Sequence, residues 1–239
     1  MSESNTSAAS TTKLKRSGVR YIFKTIAYTV LHAVIFFVVA GTLDVPRGWL
    51  YYGIYLGTTI INLIIIYKFN MELMNIRGKM QEGTKTWDKM ILITWIGLLI
   101  IFDVVAGLDV GRFGWTFLNF NFAIVGIGVW IGANIIMNWA EITNKYFEGT
   151  VRIQSDREHQ VITTGPYKYV RHPGYIGVIL AFIAMPLILG SILTFIPVGV
   201  ICVLFIIRTY LEDKTLREEL EGYTEYAQKT KYRLIPGIW

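Results

Sequence analysis

The sequence predicts an all-α fold, a polytopic membrane bundle of about six spanning helices that ends in a cytoplasmic helical tail. Two observations lead to this prediction. Of the 239 residues, 53% are hydrophobic and only 17% are charged, whereas about a quarter of the residues in a soluble domain are charged. The apolar residues also come in runs of about 20, the length with which an α-helix crosses a bilayer. Such runs are too long for strands, and lipid admits only helices or closed barrels.

Six apolar runs follow one another along the chain: 22–43, 49–69, 90–108, 115–139, 172–189 and 192–211. Pro46 and Gly48 predict a turn before the second run, and the uncharged Gly190-Ser191 pair predicts a tight helical hairpin between the last two. The Ser/Thr-rich residues 1–18 predict a disordered tail. We therefore divide the chain into this tail, N-terminal membrane spans at 19–140 and a C-terminal core at 141–239.

The distribution of basic residues predicts the orientation in the membrane. Lysine and arginine are abundant before the first run, at 70–89, at 141–171 and after the last run, whereas the alternate loops carry Arg47, Arg112 and no basic residue. Cytoplasmic loops are the ones enriched in these residues. Both termini and the loop at 141–171 are therefore expected in the cytoplasm, at the plasma membrane in a prokaryote or the endoplasmic reticulum in a eukaryote. The net charge of +6 follows from this topology, so we predict no nucleic-acid partner.

Metal binding and disulfide formation are not expected. The single cysteine, Cys202, excludes an intrachain disulfide and a cysteine-based zinc site. No pair of histidines and carboxylates has metal-ligand spacing on one helix face. Among the polar residues of the apolar runs, we interpret His32 as a packed, hydrogen-bonded side chain and Asp103 as reaching water near a helix end. Asn62, Asn134 and Asn138 are interpreted as interhelical hydrogen-bonding residues.

The polar loop before the fifth run contains the densest cluster of chemically useful residues. Residues 159–177 read H-Q-V-I-T-T-G-P-Y-K-Y-V-R-H-P-G-Y-I-G. Gly165-Pro166 predicts a turn, and Pro173 predicts the first turn of a helix, whose free N–H groups suit a carboxylate. The tyrosine rings could attract a cation. A belt of interfacial tyrosines with ordinary loop histidines is the alternative explanation.

This stretch resembles the signature of the isoprenylcysteine carboxyl methyltransferase family and the related phospholipid methyltransferases, H-x-h-h-T-x-G-P-Y-x-x-h-R-H-P-x-Y-x-G, where h is apolar. Every fixed position of the pattern is filled, and the resemblance extends over about 145–239. It implies S-adenosyl-L-methionine as methyl donor and a lipid-like or prenylated acceptor reached from the membrane lipid. It also implies that the cofactor is bound by Gln154, His159, Gln160, Val161, Ile162, Tyr167, His172, Pro173, Gly174, Tyr175 and Glu212.

A second group of charged residues ends the last apolar run. Arg208 and Glu212 are four residues apart and so share one helix face, where a charged pair is costly unless it reaches the interface or a cavity. The resemblance implies that Arg208 is catalytic and holds the acidic group of the acceptor bidentately. It implies that Glu212 accepts from an amine or ribose of the cofactor, with Asp213 in support, and leaves the roles of Tyr223 and Tyr226 undefined. Snorkelling with a helix salt bridge is the alternative.

Three functions compete with methylation of a prenylcysteine carboxylate. A phospholipid amine N-methyltransferase would need a base, whereas a carboxylate is already ionised at neutral pH. A sterol-reductase-like enzyme would bind NADPH instead. A transporter or an assembly factor is a non-enzymatic alternative, but the intramembrane charges are too few and too near the helix ends to favour transport.

Overall fold

The computed structural model describes residues 13–79 and 81–239, and over these residues it is all-helical, without strands, as the sequence predicts. The first twelve residues of the predicted tail lie outside this part. The eight α-helices within the described residues are α1 (Arg16–Ala40), α2 (Pro46–Phe69), α3 (Met71–Arg77), α4 (Thr86–Ala106), α5 (Phe120–Thr143), α6 (Pro173–Leu189), α7 (Phe195–Glu219) and α8 (Tyr223–Lys229). A π-helical segment, Gly107–Phe113, continues α4, and 3-10 turns at Ser155–Arg157 and Gly165–Lys168 interrupt the loop between α5 and α6.

In the part of the chain that the structure describes, five helices are long and apolar enough to cross a membrane: α1, α2, α4 with its π-helical continuation, α5 and α7. This indicates an integral multi-pass membrane protein. The fifth predicted run corresponds to α6, which is apolar but has only 17 residues. At 1.5 Å per residue it measures about 26 Å, against a hydrocarbon core of about 30 Å. Helix α7 is longer than its predicted apolar run and continues to Glu219, so that its last two turns are charged.

Local backbone chemistry explains the predicted helix ends. Pro46 and Pro173 occupy the first positions of α2 and α6, where the missing N–H removes no helical hydrogen bond. Helix α6 ends at Gly190, whose positive φ of 89° suits glycine. The Arg47 guanidinium donates to the free carbonyls of Leu187 at 2.6 Å and Ile188 at 2.9 Å. These contacts complete the tight hairpin between α6 and α7.

A buried polar cluster joins α1, α2 and α4 inside the bundle. His32 forms a hydrogen bond with Asp103, and the Tyr52 hydroxyl donates to the same carboxylate at 2.7 Å. The interpretation of His32 as a packed, hydrogen-bonded side chain is confirmed. The interpretation of Asp103 is wrong, because this residue is 1% exposed and does not reach water. Partners on two neighbouring helices satisfy the carboxylate instead.

The predicted asparagine contacts are confirmed in part. The Asn62 amide on α2 donates to Asn138 on α5 at 3.0 Å and to Glu141 at 2.7 Å. The interpretation of Asn134 is wrong, because its amide donates to the carbonyl of Trp130 within its own helix. A polar side chain in an apolar helix can be satisfied by the carbonyl four residues earlier, and the sequence does not distinguish this bond from an interhelical one.

Candidate functional site

A cavity of about 260 Å³ lies between the α5–α6 loop, the first turn of α6, the charged end of α7 and α8. Its size is just below the range for small-molecule sites, about 300–1,000 Å³. The predicted catalytic residue Arg208 lines this cavity. So do ten of the eleven predicted cofactor residues: Gln154, His159, Gln160, Val161, Ile162, Tyr167, His172, Gly174, Tyr175 and Glu212. Pro173 does not line it and is buried as the first residue of α6.

The Gly165-Pro166 turn directs one tyrosine into the wall of the cavity. Gly165 has a φ of +57° and opens the 3-10 turn, as the sequence predicts. The Tyr226 hydroxyl donates to the carbonyl of Tyr167 at 2.7 Å, and the Asn144 amide donates to the Tyr167 hydroxyl at 3.2 Å. Burial raises the pKa of Tyr167, so its phenol is neutral at physiological pH and can both donate and accept hydrogen bonds.

The start of α6 presents two stacked rings and a carboxylate to the cavity. The rings of His172 and Tyr175 lie 5.7 Å apart at an interplanar angle of 11°. The Tyr175 hydroxyl donates to Glu212 on α7. Electron-rich ring faces and a carboxylate both attract cations, so this wall is suited to a positively charged group.

His159 faces the same cavity as a neutral imidazole. Its ring packs on Tyr146 at 4.5 Å, and its Nδ1 accepts from the backbone N–H of Gln154 at 3.4 Å. Burial, together with the nearby charges of Arg157 and Arg152, lowers the pKa of His159 to about 4. The Gln154 amide is also engaged within the protein, since it donates to the carbonyl of Tyr146 at 2.8 Å.

Arg208 has a partner that the sequence analysis missed. Its Nε and Nη2 donate to the two carboxylate oxygens of Asp88 at 2.7 and 3.3 Å. Both residues are buried, Arg208 at 5% and Asp88 at 0% exposure. The bidentate edge of the guanidinium, predicted to hold the acceptor, is therefore occupied by Asp88. Snorkelling is excluded by this burial, and Glu212 contacts Tyr175 rather than Arg208. The sequence signal for this partner was Asp88 itself, an acidic residue just before an apolar run. A charge at this position is costly unless it has a partner.

Asp213 holds the C-terminal tail through several donors. Its carboxylate is fully buried and accepts from Arg171 at 2.6 Å, Arg233 at 2.9 Å and Arg217 at 3.0 Å. The Tyr223 hydroxyl donates to it as well, at 3.1 Å. Asp213 thus fixes the tail to the signature loop and contributes no side chain to the lining of the cavity.

Backbone hydrogen bonds also fix the C-terminal tail to the signature loop. The N–H groups of Arg171 and His172, in the middle of the signature, donate to the carbonyls of Tyr232 and Arg233 at 2.9 and 3.0 Å. The tail is therefore bonded to the signature through its backbone at Tyr232 and Arg233. Because His172 lines the cavity, the position of this wall depends on the tail.

The cavity continues as an apolar space between the membrane helices. Its lining there consists of side chains from α4, α5, α6 and α7: Trp95, Met137, Val178 and Phe205. Among residues 13–79 and 81–239, no group of three or more histidine, cysteine or acidic side chains could hold a metal ion. The site thus combines a polar part formed by the loops with an apolar part inside the bundle, which suits an amphiphilic ligand.

Comparison with known proteins agrees with the signature. Residues 126–218 match the model of the isoprenylcysteine carboxyl methyltransferase (ICMT) family, which confirms the resemblance. Two curated relatives, from Oryza sativa subsp. indica and subsp. japonica, are both named "Probable protein-S-isoprenylcysteine O-methyltransferase". Each is 28% identical to this chain over 108 residues, which cover 44% of this chain and 56% of the relative. The match thus spans little more than half the length of these relatives.

Proposed function

We propose that this chain transfers a methyl group from S-adenosyl-L-methionine to a lipid-like acceptor, in first place the carboxylate of a prenylcysteine-type substrate. The observation that carries the proposal is the convergence of the signature residues and Arg208 on one cavity. The family match and the names of the two relatives support it.

The residues of the polar part fit the proposed cofactor. Of the acidic side chains that line the cavity, Glu141 pairs with Arg77 and Glu148 pairs with Arg152. Glu212 has no arginine partner within the described residues, and its hydrogen bond comes from Tyr175. Together with the stacked His172 ring, it favours a cationic ligand. In the first turn of α6, Gly174 lines the cavity and offers its backbone N–H to a carboxylate. When bound, the cofactor supplies an electrophilic methyl group on its sulfonium.

The apolar part and Arg208 fit the proposed acceptor. Trp95, Met137, Val178 and Phe205 offer an apolar path for a lipid chain between the helices, and Arg208 lies where this path meets the polar part. An acceptor carboxylate is ionised at neutral pH, so no base is required. The chain then acts by aligning the carboxylate with the methyl group and by excluding water, which raises the effective concentration of the acceptor.

The proposed topology has six spans, with α6 as the short sixth span beside the five longer ones. Both termini and the site then lie on the cytoplasmic side, because the loops on that side carry the excess of lysine and arginine. The cofactor enters from the cytoplasm and the acceptor from the bilayer.

Methylation of a phospholipid amine is a second candidate. It is favoured by the Glu212 carboxylate, which has no arginine partner within the described residues and could take the proton of an amine, and by the occupation of the bidentate edge of Arg208 by Asp88. Labelled methyl recovered only in a base-stable amine product would reject the carboxylate acceptor, whereas label in a base-labile ester supports it.

The first experiment is titration calorimetry of the detergent-purified protein with S-adenosyl-L-methionine and, separately, with NADPH. We expect binding of the former alone. Binding of NADPH alone would overturn the proposal and favour a sterol-reductase-like enzyme. His172→Ala protein serves as the control for binding at the cavity. If the heat of S-adenosyl-L-methionine binding is lost in this variant, the cofactor binds at the signature residues.

A further inference from the structure

We infer that Asp88 is a positioning residue, which orients Arg208 towards the acceptor and thereby governs acceptor binding rather than cofactor binding. This inference rests on the proposed function and deepens it. Asp88 lies in the first turn of α4, outside the segment at 126–218 that matches the ICMT family. A fully buried carboxylate at this position needs a compensating partner, and Arg208 is that partner.

Asp88 and a neighbouring loop clamp the guanidinium from two sides. Besides accepting from Nε and Nη2 of Arg208, the Asp88 carboxylate accepts from the backbone N–H of Val151 at 2.8 Å. The carbonyl of Gly149 accepts from Nη2 at 2.8 Å, and the backbone N–H of Lys85 donates to the carbonyl of Val151 at 3.0 Å. The start of α4, the loop after α5 and α7 therefore meet at one ion pair, which leaves the guanidinium a single orientation.

This orientation leaves one nitrogen for a ligand. Arg208 lines the cavity, whereas Asp88 does not, so the carboxylate lies behind the guanidinium as seen from the cavity. The guanidinium carbon lies 5.4 Å from the centre of the Tyr175 ring. Among the described residues, the hydrogen bonds of the guanidinium come from Nε and Nη2, and none comes from Nη1. An anionic oxygen of the acceptor would receive an N–H bond from Nη1 directly beside the wall formed by Tyr175 and Glu212.

The alternative partner on the same helix explains why Asp88 is needed. Glu212 is four residues from Arg208, a spacing at which opposite charges pair on a helix. Without Asp88, the guanidinium would be drawn towards Glu212 and away from the acceptor. The Asp88 carboxylate thus competes with Glu212 for the guanidinium of Arg208. It thereby keeps Arg208 and Glu212 available for separate ligands.

The test compares binding of a prenylcysteine analogue as free acid and as methyl ester. The two probes differ in the charge that Nη1 would contact, so the ratio of their Kd values reports on this contact without any turnover. In the wild type we expect the acid to bind at least tenfold more tightly than the ester, about 1.4 kcal/mol. In Asp88→Asn we expect this ratio to fall to about one, and in Asp88→Glu, which retains the carboxylate, to recover in part.

The matched control is Asp109→Asn. Asp109 is also fully buried and hydrogen-bonded, to Thr116 and Ser191, in the π-helical continuation of α4. We expect this variant to lose stability while its acid-to-ester ratio stays as in the wild type. The Kd of S-adenosyl-L-methionine, measured by calorimetry, should remain within about twofold of wild type in Asp88→Asn.

The outcomes separate the inference from the proposed function. An unchanged acid-to-ester ratio in folded Asp88→Asn overturns the inference, as does a parallel loss of cofactor affinity by the same factor. Should Asp88→Asn fail to fold, Asp88→Glu decides, because the longer side chain shifts the guanidinium and must change the ratio. If the wild type binds no S-adenosyl-L-methionine at all, the proposed function is rejected, and the inference that rests on it is rejected with it.

Discussion

Replacement of Asp213 by asparagine is expected to release the C-terminal tail and to weaken cofactor binding. The substitution retains the shape of the side chain and removes the charge that three arginines share. These arginines differ in burial. The side chain of Arg171 is 2% exposed, whereas those of Arg233 and Arg217 are 23% and 38% exposed.

The magnitude follows from this difference. Breaking a fully buried ion pair costs about 3–5 kcal/mol, and this cost belongs to Arg171. An exposed pair contributes about 0–1 kcal/mol, so Arg217 adds little. A loss of about 3–5 kcal/mol is large compared with a typical total stability of about 5–15 kcal/mol. Because His172 is held by the backbone of the tail, we expect the Kd for S-adenosyl-L-methionine to rise by at least tenfold.

Limited proteolysis and calorimetry in detergent measure the two effects. Trypsin should cleave after Lys229, Lys231 and Arg233 faster in Asp213→Asn than in the wild type, and mass spectrometry identifies these sites. Arg217→Ala is the matched control, for which we expect a loss of at most about 1 kcal/mol and no change in the rate of tail cleavage. A protected tail with wild-type cofactor affinity in Asp213→Asn would show that the shared carboxylate does not hold the tail.

Three further predictions concern the cavity. Glu212→Gln should weaken S-adenosyl-L-methionine binding by tenfold or more, about 1.4 kcal/mol, because it removes the carboxylate without an arginine partner; an unchanged Kd by calorimetry would exclude a cofactor contact. His172→Ala should weaken the same binding to a similar extent through loss of the ring stacked on Tyr175, and wild-type affinity would mean that this ring is not part of the site. The lowered pKa of His159, about 4, means that the unfolded chain binds its proton first as the pH falls below about 6.5. Stability should therefore be fully present above pH 6.5 and decrease towards pH 4, and His159→Phe should flatten this part of a thermal-unfolding profile; an identical slope in both proteins would contradict the assignment.

Features that depend on neighbouring residues were predictable from the sequence. The turn at Gly165-Pro166, the start of α6 at Pro173 and the end of α6 at Gly190 follow from the restricted φ of proline and the freedom of glycine. The all-helical fold follows from the apolar runs, whereas the candidate cofactor residues came from the resemblance to a known family. The turn and the two helix ends are predictable because the backbone restrictions that cause them lie within a few residues of each other in the chain.

Features that depend on distant partners were not predictable. Asp88 and Arg208 are 120 residues apart, and His32 and Asp103 are 71 apart. Each buried charge indicated that a partner was required, but no pattern in one sequence identifies which of several arginines or acids fulfils this requirement. The bidentate edge of Arg208 was therefore assigned to a ligand although it contacts Asp88.

The distance between Asp88 and Arg208 along the chain has a consequence for biosynthesis. At roughly 5–20 residues per second, a ribosome needs roughly 6–24 s to reach Arg208 after it has added Asp88. By the end of this interval the first four long helices have been synthesised, while the acid at the start of α4 still has no guanidinium to neutralise it. Nascent chains stalled before Arg208 should thus expose a lone carboxylate at the membrane surface, and the last long helix would complete the pocket only when it inserts.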